Sequence, residues 1–511
     1  MLALYIPWLN RGFNNYEYPF VFAGRALAFS SDSNLINGYF GIVANPLGYS
    51  LTLSTFYRVF GFNDGFWFAR LPALLGALLV LLSGWLITKS MWHGKRHFFY
   101  IWVTLLVLQP MFMVFSTSGT ADILPIGLLM LAIALAVGDT ERKLAHKVLI
   151  GVMFGFGVII QYNTAYFGLA LVAAALLRDP ASTSKKNKKI RDVLIYILAP
   201  AVILSAYLYW SHSRYGIFIS SRLELSQPNF FDVTSLTKNF TKYLSFFGLF
   251  LGFLPLTIVI VKCRSSVAIL KWFGVAVLLI LIGWFSSGSY VGEMSFGLMF
   301  ETRYQILFRL IETLGFVLGG LFVISILMTR WSTSRIKMTI LSGLVPYLFL
   351  ISASYPSQRY LAFAIPGALL LLTDAMQTLS KRMRILLIGS TVIVFASTSF
   401  LGLSYLTGQG NASENMAVWV KENNLISQTA SGVISPHAGQ HFWGVKKTDL
   451  RYEIIAVTPA TESRVNGILH REPMKVLGRV TRIYLLQEMS NCPEWCRQFR
   501  RGKVSGGVVE E

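Results

Sequence analysis

Apolar residues of this 511-residue chain fall into long blocks separated by short polar segments. Most of the blocks are about 17 to 25 residues long, the length that an α-helix needs to cross the hydrocarbon core of a bilayer. Residues 1–9 are apolar but too short to span, and we expect either the end of a truncated first helix or a helix that dips into the membrane. The other blocks predict twelve membrane helices, at residues 66–88, 98–115, 121–138, 148–161, 165–177, 193–210, 244–261, 266–286, 306–329, 338–353, 360–377 and 385–406.

Composition agrees with a polytopic α-helical membrane protein of about 12–13 membrane helices. The chain is 54% hydrophobic and 14% charged, with a mean hydropathy of +0.56, whereas soluble proteins carry about 25% charged residues. The net charge of +21 would suggest nucleic-acid binding in a soluble protein, but here it indicates topology. Six short connections hold 21 of the 45 Lys and Arg residues, at residues 89–96, 142–147, 178–191, 262–271, 330–337 and 381–384.

The positive-inside rule places these six basic connections in the cytoplasm. The segment 10–65 and everything after residue 407 are then predicted to be extracytoplasmic, and the protein is integral to a cytoplasmic or equivalent membrane. Within the first external loop, Leu47, Leu51, Phe56 and Val59 have helical spacing. They predict amphipathic helices on the outer membrane face, with a packed cap that has no substrate role as the alternative.

The remaining chain divides into a membrane region, residues 1–407, and a tail, residues 408–511. The tail has ordinary charge content and is predicted to be a small α/β domain, with a helix at 413–425 and strands at 431–436 and 449–457. Cys492 and Cys496 lie in this external tail, where an oxidising compartment permits a disulfide. Their spacing is also compatible with two unpaired thiols.

Motifs of soluble enzymes are missing from the sequence. There is no GxxxxGK[ST] segment for ATP, and no HExxH motif or CxxC pair for a metal. No metal site or cofactor is predicted, although a divalent metal without a recognisable ligand set stays possible. Charged groups near hydrocarbon are costly and therefore informative, and those predicted at the outer boundary are Glu17, Asp122, Glu293, Glu301, Arg303, Arg309, Glu312 and Arg359.

Arginines and carboxylates at one membrane boundary suit chemistry on a phosphorylated lipid. Arginine binds phosphate through paired hydrogen bonds, and a carboxylate can take a proton from an attacking hydroxyl. Structural roles are the alternatives: Arg309 and Glu312 can pair along one helix, Arg359 can cap a helix or meet headgroups, Asp122 can satisfy a helix N-terminus, and Glu17 can be a surface carboxylate.

Four segments together resemble a known family. In chain order they are YEYPFVFAGRALA from Tyr16, NPLGYSLTLSTFYRVFG from Asn45, STSGTADILPIGLLMLAIAL from Ser116 and YPSQRYLAFAIPGALLLL from Tyr355. The sequence is similar to the GT-C superfamily of glycosyltransferases that use polyprenyl-phosphate sugars, in the branch of protein mannosyltransferases and lipid A aminoarabinose transferases. The resemblance covers most of the membrane region.

The resemblance implies roles for individual residues. Glu17 matches the catalytic base of the first external loop, where many relatives have an Asp-Glu pair and this chain has Tyr16 before Glu17. Asp122 matches a second acid. The resemblance also implies Arg359 and Tyr360 at the donor phosphate, and Asn45 and Tyr49 in a loop motif. The charge at the outer boundary, and not the resemblance, adds Arg303 and Arg309 as candidates for the phosphate and Glu293 and Glu301 for the acceptor or the loop around it.

The implied partners are a polyprenyl-phosphate sugar donor, a lipid, glycan or protein acceptor, and membrane lipids, with no nucleic acid. The implied reaction is an inverting sugar transfer on the extracytoplasmic side. A transporter or lipid flippase is the alternative, and it predicts charged residues near the bilayer midplane and repeat symmetry between the two halves. A structural subunit of an envelope assembly, in which the external acids would be dispensable, is a third possibility.

Overall fold

The computed structural model describes most of the chain. The described residues are 1–13, 17–29, 36, 45–61, 66–92, 95–138, 143–177, 184–218, 232–262, 265–286, 305–328, 334–353, 358–430, 451–457, 459–463 and 465–488. The architecture is a bundle of long apolar helices followed by a small sheet.

The region predicted to be the first external loop, called the first external region, forms two helices that pack together. After α1 (Leu2–Tyr5), α2 covers Tyr18–Phe29 and α3 covers Gly48–Phe60. The predicted helical pattern is therefore present, but the buried side of α3 includes Tyr49, Leu53 and Tyr57. Of the apolar residues that carried the pattern, Leu47 is buried, whereas Val59 is 67% exposed and has the position expected for contact with lipid.

Two helices cross at unusually short range next to this region. They are α4 (Leu71–Met91) and α7 (Ile123–Gly138). A Cβ atom added at Gly127 would lie 2.4 Å from the carbonyl oxygen of Gly76, so only glycine allows this approach. The crossing brings the N-terminal ends of both helices together, and these ends carry Arg70 and Asp122.

Two of the predicted spans are bent helix pairs. Helices α5 (Arg96–Leu108) and α6 (Pro110–Ser116) meet at 68°. The bend lies at Gln109, whose side chain caps α6 by accepting a hydrogen bond from the N–H of Phe112 at 2.7 Å, while the ring of Pro110 suits the first turn of a helix. The second pair is α11 (Val233–Leu251) and α12 (Leu256–Lys262), bent by 84°.

The other helices of the bundle follow the predicted blocks with shifted ends. They are α8 (Leu144–Ile160), α9 (Gly168–Leu176), α10 (Ser184–Tyr215), α13 (Ser266–Ser286), α14 (Gln305–Met328), α15 (Arg335–Ser352), α16 (Ile365–Ala375) and α17 (Lys381–Glu422). Short 3₁₀ turns connect several of them, at Ile6–Trp8, Phe68–Arg70, Tyr162–Phe167, Gln358–Phe363, Met376–Thr378 and Ile426–Gln428.

Fewer helices than the predicted 12–13 could span a membrane by length and composition alone in the described part of the chain. Among the described residues, six helices are long and apolar enough to span, or eight if each bent pair counts as one span. Three further apolar segments, 123–138, 144–160 and 162–176, have only 10–17 residues. The difference arises because apolar blocks that are continuous or nearly so in sequence are broken by bends and 3₁₀ turns in the structure.

The tail carries a four-stranded sheet. Its strands are β1 (Thr429–Ala430), β2 (Tyr452–Val457), β3 (Ile468–Val476) and β4 (Arg479–Glu488), in the order β1-β2-β4-β3. The sheet is antiparallel except for the β1–β2 pair, and a short helix, α18 (Pro459–Glu462), precedes β3. The predicted strand at 449–457 is β2, whereas the predicted strand at 431–436 and both tail cysteines lie outside the described residues.

The last membrane helix continues into the tail without a break. Helix α17 has 42 residues and runs through residue 407, so the predicted helix at 413–425 is its C-terminal part. A Cβ atom at Gly410 would lie 2.2 Å from the carbonyl oxygen of Gly12, and Asn411 accepts a hydrogen bond from the N–H of Gly12 at 3.1 Å. This contact joins the tail helix to the start of the first external region.

Candidate active site

Glu17 lies at the start of α2 and is fully buried. Both of its carboxylate oxygens accept hydrogen bonds from Arg70, one from Nε to Oε1 at 2.7 Å and one from Nη2 to Oε2 at 2.9 Å. Oε1 also accepts a bond from the N–H of Gly119 at 2.7 Å. This is a bidentate, charge-assisted pair, which is the strongest kind of hydrogen bonding available to a carboxylate.

Arg70 is as fully engaged as its partner. Its Nη1 donates to the carbonyl oxygens of Leu9 at 2.6 Å and Arg11 at 2.7 Å, and its Nη2 also donates to that of Gly12 at 3.2 Å. A guanidinium has five N–H donors, and with the two bonds to Glu17 all five are used. Arg70 therefore fastens the chain start to α4 and is not available to bind a phosphate.

Arg11 completes this group, which we call the Glu17 cluster (Arg11, Glu17 and Arg70). Its Nη1 donates to the carbonyl oxygens of Trp8 at 2.7 Å and Thr117 at 2.8 Å, and its Nη2 donates to the Ser118 hydroxyl at 2.8 Å. Nη2 also lies 4.0 Å from Oε2 of Glu17. The cluster thus holds residues 117–119, the turn between α6 and α7, at three consecutive positions.

Asp122 ends the same turn, directly before α7, and its environment is the opposite of that of Glu17. Its side chain is 1% exposed, yet neither carboxylate oxygen has a hydrogen-bond partner in the described part of the chain. Its charged neighbour is Arg359, whose Nε lies 4.0 Å from Oδ1. A buried charge with so few partners is costly, so this carboxylate is a candidate for contact with substrate.

Two further polar side chains lie beside Asp122, at contacts longer or less well aligned than hydrogen bonds. They are the hydroxyl of Thr120 and the amide of Gln161. Both are buried, and neither makes a side-chain hydrogen bond among the described residues. We call Thr120, Asp122, Gln161 and Arg359 the Asp122 cluster. Buried polar groups are nearly always hydrogen-bonded, so several open donors and acceptors at one place indicate a binding site.

Aromatic side chains adjoin the Asp122 cluster. The guanidinium of Arg359 lies over the ring of Tyr360, 5.5 Å from its centroid, and the side chain of Arg359 is 20% exposed. The buried hydroxyl of Tyr347 donates to the carbonyl oxygen of Tyr360 at 2.6 Å. The 3₁₀ turn that carries Arg359 is thus fixed from α15.

The predicted loop residues brace the neighbouring backbone. The hydroxyl of Tyr49 donates to the carbonyl oxygen of Ala69 at 2.9 Å, and its ring packs edge-on against Phe20. Asn45 is buried close by, two residues before Leu47, whose N–H donates to the hydroxyl of Tyr207 at 2.9 Å. Their contacts place Tyr49 behind the Glu17 cluster rather than beside Asp122.

The other predicted phosphate ligands are placed differently. Arg309 donates from Nε and Nη2 to the carbonyl oxygen of Trp284, at 3.1 and 2.8 Å, and lies over the Trp284 ring. Its guanidinium therefore binds the C-terminal end of α13. Arg303, Glu293 and Glu301 lie outside the described residues. The described residues contain no group of three or more His, Cys, Asp or Glu that could hold a metal ion.

Sequence reasoning therefore anticipated the neighbours Asp122 and Arg359, and missed Arg11, Arg70 and Gln161. Arg70 stands at the edge of an apolar block, where an arginine is usually read as a flanking charge. Gln161 is the one residue with a polar side-chain amide in the run VMFGFGVIIQ. An isolated amide between two apolar helices was the signal that could have revealed it.

Comparisons with known proteins give one family match and two similar structures. Residues 44–210 match the model of the family described as dolichyl-phosphate-mannose-protein mannosyltransferase, a region that includes Arg70, Asp122 and Gln161. No curated protein matches the chain. The fold is similar to the crystal structure of ArnT from Cupriavidus metallidurans bound to undecaprenyl phosphate, with a TM-score of 0.53 at 14% identity over 95% of this chain and 96% of the other.

The apo structure of the same ArnT gives a TM-score of 0.52, also at 14% identity over 95% of this chain and 96% of the other. The matched family region and the similar structures support a glycosyltransferase that uses a lipid-linked sugar. The predicted resemblance and fold are confirmed, and the chain is an integral membrane protein with the GT-C fold.

Proposed function

We propose that the protein transfers a sugar from a polyprenyl-phosphate carrier to an acceptor hydroxyl on the extracytoplasmic side of the membrane. The observation that carries this proposal is the Asp122 cluster, where a buried carboxylate without a hydrogen-bond partner among the described residues faces an arginine 4.0 Å away. The fold and the matched family region support the same reaction class.

The guanidinium of the cluster suits the donor phosphate of such a reaction, and the carboxylate suits the acceptor hydroxyl. Arg359 lies beside Asp122, and a planar guanidinium can bind the phosphate of the donor through paired hydrogen bonds. The acceptor oxygen then attacks the anomeric carbon from the side opposite the phosphate, which inverts the configuration. A carboxylate must accept the proton of the acceptor hydroxyl, and the two buried carboxylates beside the turn 117–122, among the described residues, are Asp122 and Glu17.

The extracytoplasmic side follows from the distribution of charge. The six basic connections are predicted to be cytoplasmic, and the turn that carries Asp122 lies in the connection between two of the predicted spans that faces away from them. A polyprenyl-phosphate sugar would then enter from the outer leaflet.

Mass spectrometry of envelope lipids and glycans, with and without the gene, tests the proposal. We expect a sugar to disappear from one lipid, glycan or protein and the matching polyprenyl-phosphate sugar to accumulate. Reconstituted protein should also release undecaprenyl phosphate from undecaprenyl-phosphate mannose or undecaprenyl-phosphate aminoarabinose. An unchanged envelope together with no turnover of either donor would refute the proposed function.

A further inference from the structure

The two buried carboxylates near the turn 117–122 differ in what they can do chemically. Glu17 accepts three short hydrogen bonds, two of them from one guanidinium. To accept a proton it would have to give up part of this pairing, inside a site where an arginine left without a counter-charge is expensive.

Asp122 has the properties that Glu17 lacks. Neither oxygen is hydrogen-bonded to a described residue, so both are open to a substrate hydroxyl. Arg359 lies near enough to offset part of the cost of burying a charged carboxylate, without forming the short paired bonds seen at Glu17. A carboxylate with open oxygens and no tight ion pair can take up a proton without giving up a hydrogen bond, as a general base must.

The Glu17 cluster has a different task, which follows from what it touches. Glu17 binds the N–H of Gly119, and Arg11 binds the carbonyl of Thr117 and the hydroxyl of Ser118. A Cβ atom at Gly119 would lie 3.1 Å from the carbonyl oxygen of Ala69 and 3.6 Å from Oε1 of Glu17. The turn is therefore closely seated, and Asp122 follows it by three residues.

We propose that Asp122, and not Glu17, is the general base, and that Glu17 is a positioning residue acting through the turn 117–119. This inference rests on the proposed function. In the step, an Oδ atom of Asp122 accepts the acceptor's proton as the bond from the acceptor oxygen to the anomeric carbon forms. The bond from that carbon to the phosphate oxygen breaks, and its electron pair leaves with the polyprenyl phosphate, held by Arg359.

The same geometry assigns a substrate contact to Thr120 and Gln161. A hydroxyl and an amide beside a carboxylate offer both donors and acceptors, which suits the hydroxyl groups of a sugar or of its acceptor. Binding would supply the hydrogen bonds that these buried groups lack among the described residues. Asp122, Thr120 and Gln161 are thus expected to face one polar substrate group together.

The test compares Asp122→Asn with Glu17→Gln in full-length protein reconstituted into lipids from a strain that lacks the gene, which supply the acceptor. The donors are undecaprenyl-phosphate mannose and undecaprenyl-phosphate aminoarabinose. Asp122→Asn should lower kcat by about 10²–10⁴-fold, the usual contribution of general-base catalysis, with little change in KM. It should also remove the acidic limb of the pH profile of kcat/KM. Glu17→Gln should lower the transfer rate but keep that limb.

Rescue by azide distinguishes a general base from a residue with a structural role only. Azide needs no deprotonation, so with Asp122→Ala it can attack the anomeric carbon directly and form a glycosyl azide as the phosphate leaves. Donor turnover by Asp122→Ala should therefore rise with added azide, and that by Glu17→Gln should not. The matched control is Asp232→Asn, because Asp232 is an exposed N-cap, bonded to the N–H of Ser235, and asparagine caps helices equally well.

The outcomes separate the two proposals. Wild-type protein that turns over neither donor overturns the proposed function, and the inference with it. Wild-type turnover together with near-normal transfer by Asp122→Asn overturns the inference alone. If substitution of Glu17, and not of Asp122, removed the acidic limb of the pH profile and allowed rescue by azide, the general base would be Glu17.

Discussion

Replacing either partner of the Glu17–Arg70 pair should destabilise the protein, and the two effects should not be additive. Arg70→Met leaves Glu17 buried without its paired guanidinium, beside the N–H of Gly119 and with Arg11 4.0 Å away. Breaking a buried ion pair by removing one partner typically costs about 3–5 kcal/mol. Arg70→Met should fall in this range, because three backbone carbonyls also lose their donor.

Glu17→Met should cost a similar amount. Arg70 keeps its bonds to the carbonyls of Leu9, Arg11 and Gly12, but Arg70 and Arg11 both stay buried and lose the carboxylate that balances their charge. The N–H of Gly119 also loses its acceptor. The double variant should be more stable than the sum of the single effects predicts, by about 0.5–3 kcal/mol, since contacting residues couple by this amount.

Thermal unfolding in detergent, followed by the fraction that stays monodisperse, ranks the four proteins. Arg58→Met is the matched control, because Arg58 is exposed and donates only to the carbonyl of Leu27. Such surface changes usually stay within about 0.5 kcal/mol. The reasoning is refuted if Arg70→Met behaves like Arg58→Met, or if the effects of the two single substitutions simply add.

Three further predictions concern the donor, the helix crossing and the tail. Arg359→Gln should raise the KM for the lipid donor by about tenfold or more, as expected when a charged hydrogen bond is lost, and by more than Arg309→Gln does; equal effects in the reconstituted assay would contradict the phosphate role of Arg359. Gly127→Ala should lower the thermal midpoint and the transfer rate together, because its Cβ would meet the Gly76 carbonyl oxygen at 2.4 Å; unchanged values would show that the crossing can relax. Gly410→Ala should make the junction between the tail and the first external region sensitive to limited proteolysis, and a wild-type digestion pattern would argue against that contact.

The sequence could predict the features that depend on interactions between nearby residues, and much less of those that depend on contacts between distant segments. Helices follow from local apolar blocks, so nearly every predicted segment overlaps a helix of the structure. The bends could not be counted, because an apolar block reads the same whether its helix is straight or turns by 84° as between α11 and α12. The strand β2 was found from its alternation, which is also a local signal.

The sequence predicted several residues of the site, but it predicted less well which of them pair with each other. Asp122 and Arg359 stood out because a charge at the membrane boundary is costly, and the structure brings them together. The partner of Glu17 could not be named, since Arg70 lies 53 positions away and is one of several arginines beside apolar blocks. Pairing of that kind depends on how distant segments of the chain pack together, which no local pattern reveals.

The length of α17 limits how the tail can move. At about 1.5 Å per residue, its 42 residues extend about 63 Å, roughly twice the ~30 Å thickness of a hydrocarbon core. Because one helix forms both a membrane span and the base of the tail sheet, there is no linker at residue 407 to act as a hinge. The tail sheet is therefore held at a fixed distance from the membrane span, and the space between them cannot widen by bending at residue 407.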